Sequence, residues 1–313
     1  MKKILVINYS QSGQLNEIID NFLIPFNDKQ IERVNIFPKK VFPFPWSSQE
    51  FFDVMPESVL EEKMELEPYH LKSENYDLIV IGYQPWFLSP SLPTTALLKE
   101  EKFTSLLKGK PVVTIIGARN MWLNAQETVK EHIQKAGGEL VANIPFIDRN
   151  TNLISAVTIL YWMLTGEKGK YLNIFPYPGV SEKDIKGASK FGEIVFEAFQ
   201  NDSYHKLQNK ILDLKLINIK TDILFIELRA KRLFKIWARI IINKDSNYKK
   251  RAIWIKLFKY YLLVALFIVA PIVLTVYNLL IAPFTFNAIN RKKEYFCGIR
   301  KNKNAGRLHN KNF

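Results

Sequence analysis

Lys3-Ile4-Leu5-Val6-Ile7-Asn8-Tyr9-Ser10-Gln11-Ser12-Gly13-Gln14-Leu15 decides the fold. Its first half is an unbroken apolar run, as a strand covered on both faces requires. Its second half is a polar turn containing a glycine. Beyond the turn Leu15, Ile18, Ile19, Phe22 and Leu23 recur at helical spacing as far as Pro25. Strand, glycine turn and helix open an α/β unit, and the same grammar returns downstream. Residues 31–37, 76–82, 111–117 and 139–146 read as four further strands. Helical patterns fall at about 94–107, 122–136, 154–165 and 182–199. The alternation predicts an α/β fold with a doubly wound, five-stranded parallel sheet within residues 1–200.

Residues 38–70 break this rhythm. Phe42-Pro43-Phe44-Pro45-Trp46 and Phe51-Phe52 make the segment too aromatic for a plain solvated loop. Two readings stay open: a packed excursion with a satellite core, or a lid that walls an apolar pocket.

The chain of 313 residues carries a formal net charge of +14, unevenly spread. Residues 201–313 hold 23 Lys/Arg against 6 Asp/Glu, whereas residues 1–200 are slightly acidic. The basic excess therefore reports on the partner of the C-terminal third. Residues 201–259 read as a basic amphipathic helical segment, 260–283 as an uncharged apolar run and 284–313 as a basic tail. An apolar run of that length suffices to cross a bilayer core, which takes about 20 residues. Bases on both flanks leave three arrangements open: one span, a kinked hairpin about Pro271, or a helix lying in the interface on anionic lipid. An apolar run beside the bases favours membrane lipid over nucleic acid. No signal peptide is expected at the start, and the cytoplasmic face of the inner membrane is the expected location. One cysteine, Cys297, excludes an internal disulfide framework. The four histidines (His70, His132, His205 and His309) show no metal-ligand spacing, so no metal is expected.

Candidate site residues sit where the strands end. In an open parallel sheet, ligands bind outside the carboxyl ends of the strands. After the first strand, Ser10, Gln11, Ser12, Gly13 and Gln14 offer hydroxyls and backbone N–H groups at a helix N-terminus, which suits a phosphate. After the third come Pro85, Trp86 and Phe87, and after the fourth Gly117, Arg119, Asn120 and Trp122. These two loops offer aromatic and polar groups for a planar ring. Arg119 is a candidate to stabilise negative charge. Tyr83 and His70 are candidate acid/base groups. Each has a plainer alternative: a helix N-cap for the first loop, core packing for the tryptophans, a solvated base for Arg119.

Residues 9–14 resemble the FMN phosphate loop of flavodoxins. Pro85-Trp86-Phe87 resembles their second, ring-flanking loop, and residues 117–122 stand where the third would be. The likeness covers about residues 1–165 and implies a flavodoxin-like fold with FMN as cofactor. Flavodoxins usually place a threonine where this chain has Leu15, so Asn16 is a conceivable substitute donor. A narrower likeness rests on residues 10–15, on 44–46 with 51–60, and on Tyr83-Gln84-Pro85-Trp86-Phe87-Leu88-Ser89-Pro90-Ser91. These resemble the bacterial proteins labelled dialkylresorcinol condensing enzyme, of aryl-polyene and flexirubin-type pigment pathways. Carbon–carbon condensation calls for a nucleophilic cysteine with histidine partners, which this chain lacks. The likeness therefore implies the neighbouring flavin-dependent step, aromatisation of a lipophilic alkylated 1,3-cyclohexanedione to a resorcinol. Two alternatives stand beside it. One is a generic FMN-dependent quinone or electron-transfer reductase. The other is a non-catalytic scaffold that tethers partners such as a ketosynthase or an acyl carrier protein to the membrane.

Overall fold

The computed structural model describes residues 1–244 and 247–299; His309 and the tail bases Arg300, Lys301, Lys303, Arg307 and Lys311 lie outside the described residues. The strands β1 (Ile4–Asn8), β2 (Ile31–Asn35), β3 (Leu78–Tyr83), β4 (Pro111–Ala118) and β5 (Glu139–Ile147) form one parallel sheet in the order β2-β1-β3-β4-β5. The register sets Ile4 beside both Ile31 and Leu78. The helices are α1 (Gln14–Leu23), α2 (Ser48–Asp53), α3 (Met55–Leu60), α4 (Leu92–Lys99), α5 (Glu101–Leu106), α6 (Leu123–Lys135), α7 (Asn152–Thr165), α8 (Glu182–Lys186), α9 (Ala188–Gln200), α10 (Leu207–Asp213), α11 (Thr221–Ile242), α12 (Tyr248–Val264), α13 (Ala270–Leu280) and α14 (Phe286–Cys297).

Strand side chains alternate between two cores, as the pleat requires. Ile4, Val6, Leu78, Val80, Val113 and Ile115 pack with α1, α9 and α10. Leu5, Ile7, Ile79, Ile81, Val112 and Ile116 pack on the opposite face with α4, α5 and α6. This is a doubly wound, flavodoxin-like arrangement, whose strand order changes direction between β1 and β3.

Several elements depart from the sequence expectation. The expected helix at 94–107 is two helices, because Glu100 between them is extended. That at 182–199 divides at Gly187. Helix α7 is found where a helix is expected, at Asn152–Thr165, and its Ile159, Trp162 and Met163 line a cleft at the carboxyl ends of the strands. The aromatic excursion holds α2 and α3, α2 opening on a capping box between Ser47 and Glu50. The core continues past residue 200: Leu207 and Ile211 enter one face, and Ile219 and Leu224 the other.

The apolar run also departs from one of its expected forms. Helix α12, a π-helical turn at Ala265–Val269 and α13 run on as one 33-residue helix, Tyr248–Leu280. The chain does not turn back at Pro271. Proline lacks an N–H and crowds the carbonyl four residues before it, and the wider turn just ahead absorbs that conflict without a reversal.

Packing of α1 on α9 depends on one residue without a side chain. A Cβ at Gly192 would stand 2.0 Å from the Phe22 carbonyl oxygen. Alanine normally stabilises a helix interior relative to glycine. Here Gly192→Ala should instead cost about 1–3 kcal/mol through overpacking. Urea unfolding checks this: a lower midpoint with an unchanged slope is expected, and an unchanged or higher midpoint contradicts the close approach.

Candidate functional site

The loops that follow β1, β3 and β4 meet over the sheet and enclose a cleft of about 230 Å³. Its floor is Gln11, Ser12, Gln14 and Leu15 from the first loop and α1, with Gly117 and Ala118 at the end of β4. Pro85, Trp86 and Phe87 of the second loop and Ile159, Trp162 and Met163 of α7 also line it. Phe44 and Phe51 reach in from the excursion. Arg119 is the one charged residue in this lining among the described residues.

The N-terminus of α1 is built to face a polar group. Gly13 stands before it with φ +83°, a left-handed conformation that a side chain would strain, and no side chain caps the helix. The first turn therefore keeps orphan N–H donors. Beside it, the buried Ser10 hydroxyl has no hydrogen-bond partner. Not every residue of the loop is free. Gln11 Nε2 donates to the Pro43 carbonyl at 2.7 Å and ties the excursion down. Gln14 exchanges two bonds with the Val180 backbone. Leu15 is buried core, and Asn16 accepts from Asn8 Nδ2 at 2.8 Å. Ser12, which lines the cleft, and the backbone of the turn thus carry no such ties, and the Ser10 hydroxyl is buried without a partner.

The Trp86 side of the cleft is made by a strained turn. Pro85–Trp86 pairs antiparallel with Ser89–Pro90, and the two residues between, Phe87 and Leu88, have φ +47° and +65°. Such two-residue turns ordinarily carry Asn-Gly, because both positions need positive φ. Bulky residues there cost about 1–3 kcal/mol each and persist only where surroundings over-determine them. The surroundings are aromatic. Phe87 lies 5.0 Å from the Phe51 ring and within 6.4 Å of Phe52, Phe234 and Phe258. Trp86 packs edge-on against Tyr9, Phe42 and Trp46.

Other sequence candidates go elsewhere. Trp122 is buried in the core and does not line the cleft; nor does Asn120, whose Nδ2 donates to Asn152. Tyr83 is fully buried, donates to Gln126 Oε1 at 2.8 Å, and has its phenol pushed well above its ordinary range by desolvation. It cannot reach a ligand. His70 is exposed on the excursion and outside the cleft lining. No acid or base from the sequence reading lies at the cleft. Arg119 does line it. Its Nη1 donates to the Asn152 carbonyl and side chain at 2.9 Å. Burial lowers its pKa to about 10, so it stays cationic at neutral pH.

Sequence reasoning missed Trp162, Met163 and Ile159. Their spacing of three and four residues puts them on one helical face, but the same pattern marks any core helix. It also missed Glu227 of α11. This fully buried carboxyl group accepts from the Asn124 N–H at 2.8 Å, so it caps the first turn of α6, which follows the Arg119 loop. Its second oxygen has no partner.

No family model matches this chain, and no curated protein matches it. Several solved flavoproteins are distantly similar to it in structure. A flavoprotein in complex with FMN from Lactobacillus acidophilus is 19% identical, over 46% of this chain and 93% of that one, with a TM-score of 0.39. A flavodoxin from the domain Archaea is 13% identical over 63% and 99%, with a TM-score of 0.35. Oxidised flavodoxin 1 from Bacillus cereus is 17% identical over 61% and 95%, with a TM-score of 0.31. The sheet order itself, not these distant likenesses, carries the fold.

Burial raises the Glu227 pKa from its ordinary 4.5 to about 8. The unfolded chain then gives up this proton first, so the group's contribution to stability is greatest below about pH 4.5. It declines as pH rises to about 8 and levels beyond. Glu227→Gln keeps an acceptor for the α6 N-terminus and cannot ionise. Thermal unfolding from pH 5 to 8 should show a flatter pH dependence in the variant; equal slopes contradict a protonated, buried Glu227.

Proposed function

We propose that the cleft binds FMN and that the protein is a membrane-attached oxidoreductase. Its proposed reaction is the dehydrogenation of a long-chain alkylated 1,3-cyclohexanedione to a resorcinol. One juxtaposition carries this: the uncapped N-terminus of α1, with Ser12 and Gln14, lines the same cleft as Trp86, Phe87 and Trp162, and the unpartnered Ser10 hydroxyl is in the adjoining loop. The cleft lies by the carboxyl ends of β1, β3 and β4, next to the switch in strand order where flavodoxin-like sheets take FMN. Ser10, Ser12 and the backbone N–H groups at Gly13 and Gln14 would hold the phosphate. Bound FMN supplies a two-electron acceptor.

The chain's own residues do the rest. Dehydrogenation removes two hydrogens from the dione, one as hydride and one as a proton. The cleft lining holds no carboxylate and no histidine among the described residues. That suits a substrate acidic enough to ionise in water, as a 1,3-dione is, so the proton can leave before the hydride does. Arg119 faces such an anion with a fixed positive charge, held by Asn152. Phe44, Phe51, Ile159 and Met163 give the alkyl chains an apolar wall and exclude water.

Turnover tests the reaction class. Under anaerobic conditions, the FMN-loaded protein should lose its flavin absorbance on addition of an alkyl cyclohexanedione and yield the resorcinol. Bleaching by NADH alone, with quinone reduction and no response to the dione, points to a generic reductase. A protein that never takes up FMN leaves the scaffold.

Two further outcomes follow from the lining. Ser10→Ala with Ser12→Ala should weaken FMN binding about 10- to 100-fold, by the worth of one or two charge-assisted hydrogen bonds, read by flavin titration. Phe51→Ala should raise KM for a long-chain dione at least several-fold more than for a short-chain one; equal effects contradict an alkyl-binding wall.

A further inference from the structure

The long apolar helix is tied at its start to the aromatic excursion and at its end to α11. At its start, Arg251 donates to the Asp53 carbonyl at 2.8 Å and pairs with Glu57 at 2.8 Å, and Lys259 Nζ donates to Ser48 at 2.7 Å. Phe258 is fully buried beside Phe52, Phe87 and Phe234. At its end, Tyr277 stacks 3.9 Å from Phe225, and Asn278 Nδ2 donates to Asp222 at 3.0 Å. The chain beyond it also returns. Gln208 Nε2 donates to the Cys297 carbonyl at 2.7 Å, and the Tyr295 hydroxyl donates to Glu127 at 2.5 Å. The helix therefore lies along α11 in the opposite direction, anchored at both termini.

Between those anchors its surface is uncovered. In its most apolar stretch, of mean hydropathy 2.5, only 6% is buried. Ile268, Ile272 and Val276 are each about half exposed or more, and Phe284 just beyond is 87% exposed. Exposed bases flank the strip on both sides, Lys249 and Lys250 before it and Arg291 and Lys292 after it.

We infer that this helix is not a transmembrane span but a monotopic anchor, lying in the plane of a single anionic leaflet with both basic flanks on the same side. A span would set the two flanks on opposite sides of a hydrocarbon core about 30 Å thick. The domain holds both of them and cannot follow. An in-plane helix puts its apolar strip at the acyl boundary and lets every flanking base meet anionic headgroups. It also explains why the run is basic at both ends, which a single span satisfies poorly. The inference rests on the membrane-attached part of the proposed function and is independent of FMN. Its consequence for the site is direct. Phe258 is on the anchored helix and touches Phe87, which lines the cleft, so one ring separates the lipid-facing helix from the substrate wall.

The test uses full-length protein added to preformed, sealed vesicles of phosphatidylethanolamine and phosphatidylglycerol. In a Cys297→Ser background, Lys249→Cys and Lys292→Cys are probed singly with a membrane-impermeant maleimide. Both positions should label fully before detergent is added, and the protein should float with the vesicles. Ile272→Asp should reduce flotation about tenfold while leaving the flavin spectrum unchanged. Protection of one position until detergent is added overturns the in-plane arrangement and leaves membrane attachment standing. No flotation overturns both. A dimer in solution that Ile272→Asp dissociates, without vesicle binding, assigns the strip to a second copy of the chain and overturns the proposal.

Discussion

Two residues in a backbone conformation that neither favours, Phe87 and Leu88, join every part of this protein. The turn they form aims Trp86 and Phe87 at the cleft. It is held by rings from three directions: Phe51 and Phe52 of the excursion, Phe234 of α11 and Phe258 of α12. A strained turn of this kind is stable only if its neighbours leave it no alternative. The C-terminal helices are therefore part of the site's construction. Without them Phe87 would lose two of its four ring contacts, and the glycine-free turn would be less firmly held.

The same dependence appears on the other side of the cleft. Glu227 of α11 caps α6, and α6 begins where the Arg119 loop ends. Arg119 is in turn tied to Asn152, the first residue of α7. Loops at the mouth of a parallel sheet are ordinarily its least constrained parts. Here each one is fastened to an element outside the alternating unit: the first through Gln11 to residues 42–43, the second through Phe87 to α11 and α12, the third through Glu227 to α11. Fixing these loops in advance suits the proposed placing of a flat ring and a substrate against each other, because misplacement of about 1 Å is costly in such reactions.

The sheet and its helices were legible because their signals are local. Unbroken apolar strands and helical spacing survive any choice of tertiary contacts, and the strand ends then locate the cleft without further information. Ser10, Ser12, Pro85, Trp86, Phe87 and Arg119 are found in or beside the cleft for that reason. The acid/base candidates are not. Whether Tyr83 faces the cleft or the core depends on strand register, and a one-residue difference reverses it. Trp122 carries the same ambiguity at a helix start. Glu227 could not have been singled out: an acid among many bases on a basic helix looks like a solvated residue, and only its burial against α6 distinguishes it. The placement of the long apolar helix was likewise undetermined: its length suffices for a span, whereas bases on both flanks fit a hairpin or an in-plane helix better than one span.

The central claim is that this cleft is a flavin site. Trp86 and Trp162 both line it, so a flavin bound there is expected to quench their indole emission. Titrating full-length protein in mild detergent with FMN, while following tryptophan fluorescence, tests the claim directly. Saturable quenching at one FMN per chain, diminished in Trp162→Leu, is the result expected. Emission that does not change with FMN, in a protein shown to be folded by its far-ultraviolet circular dichroism, would contradict it.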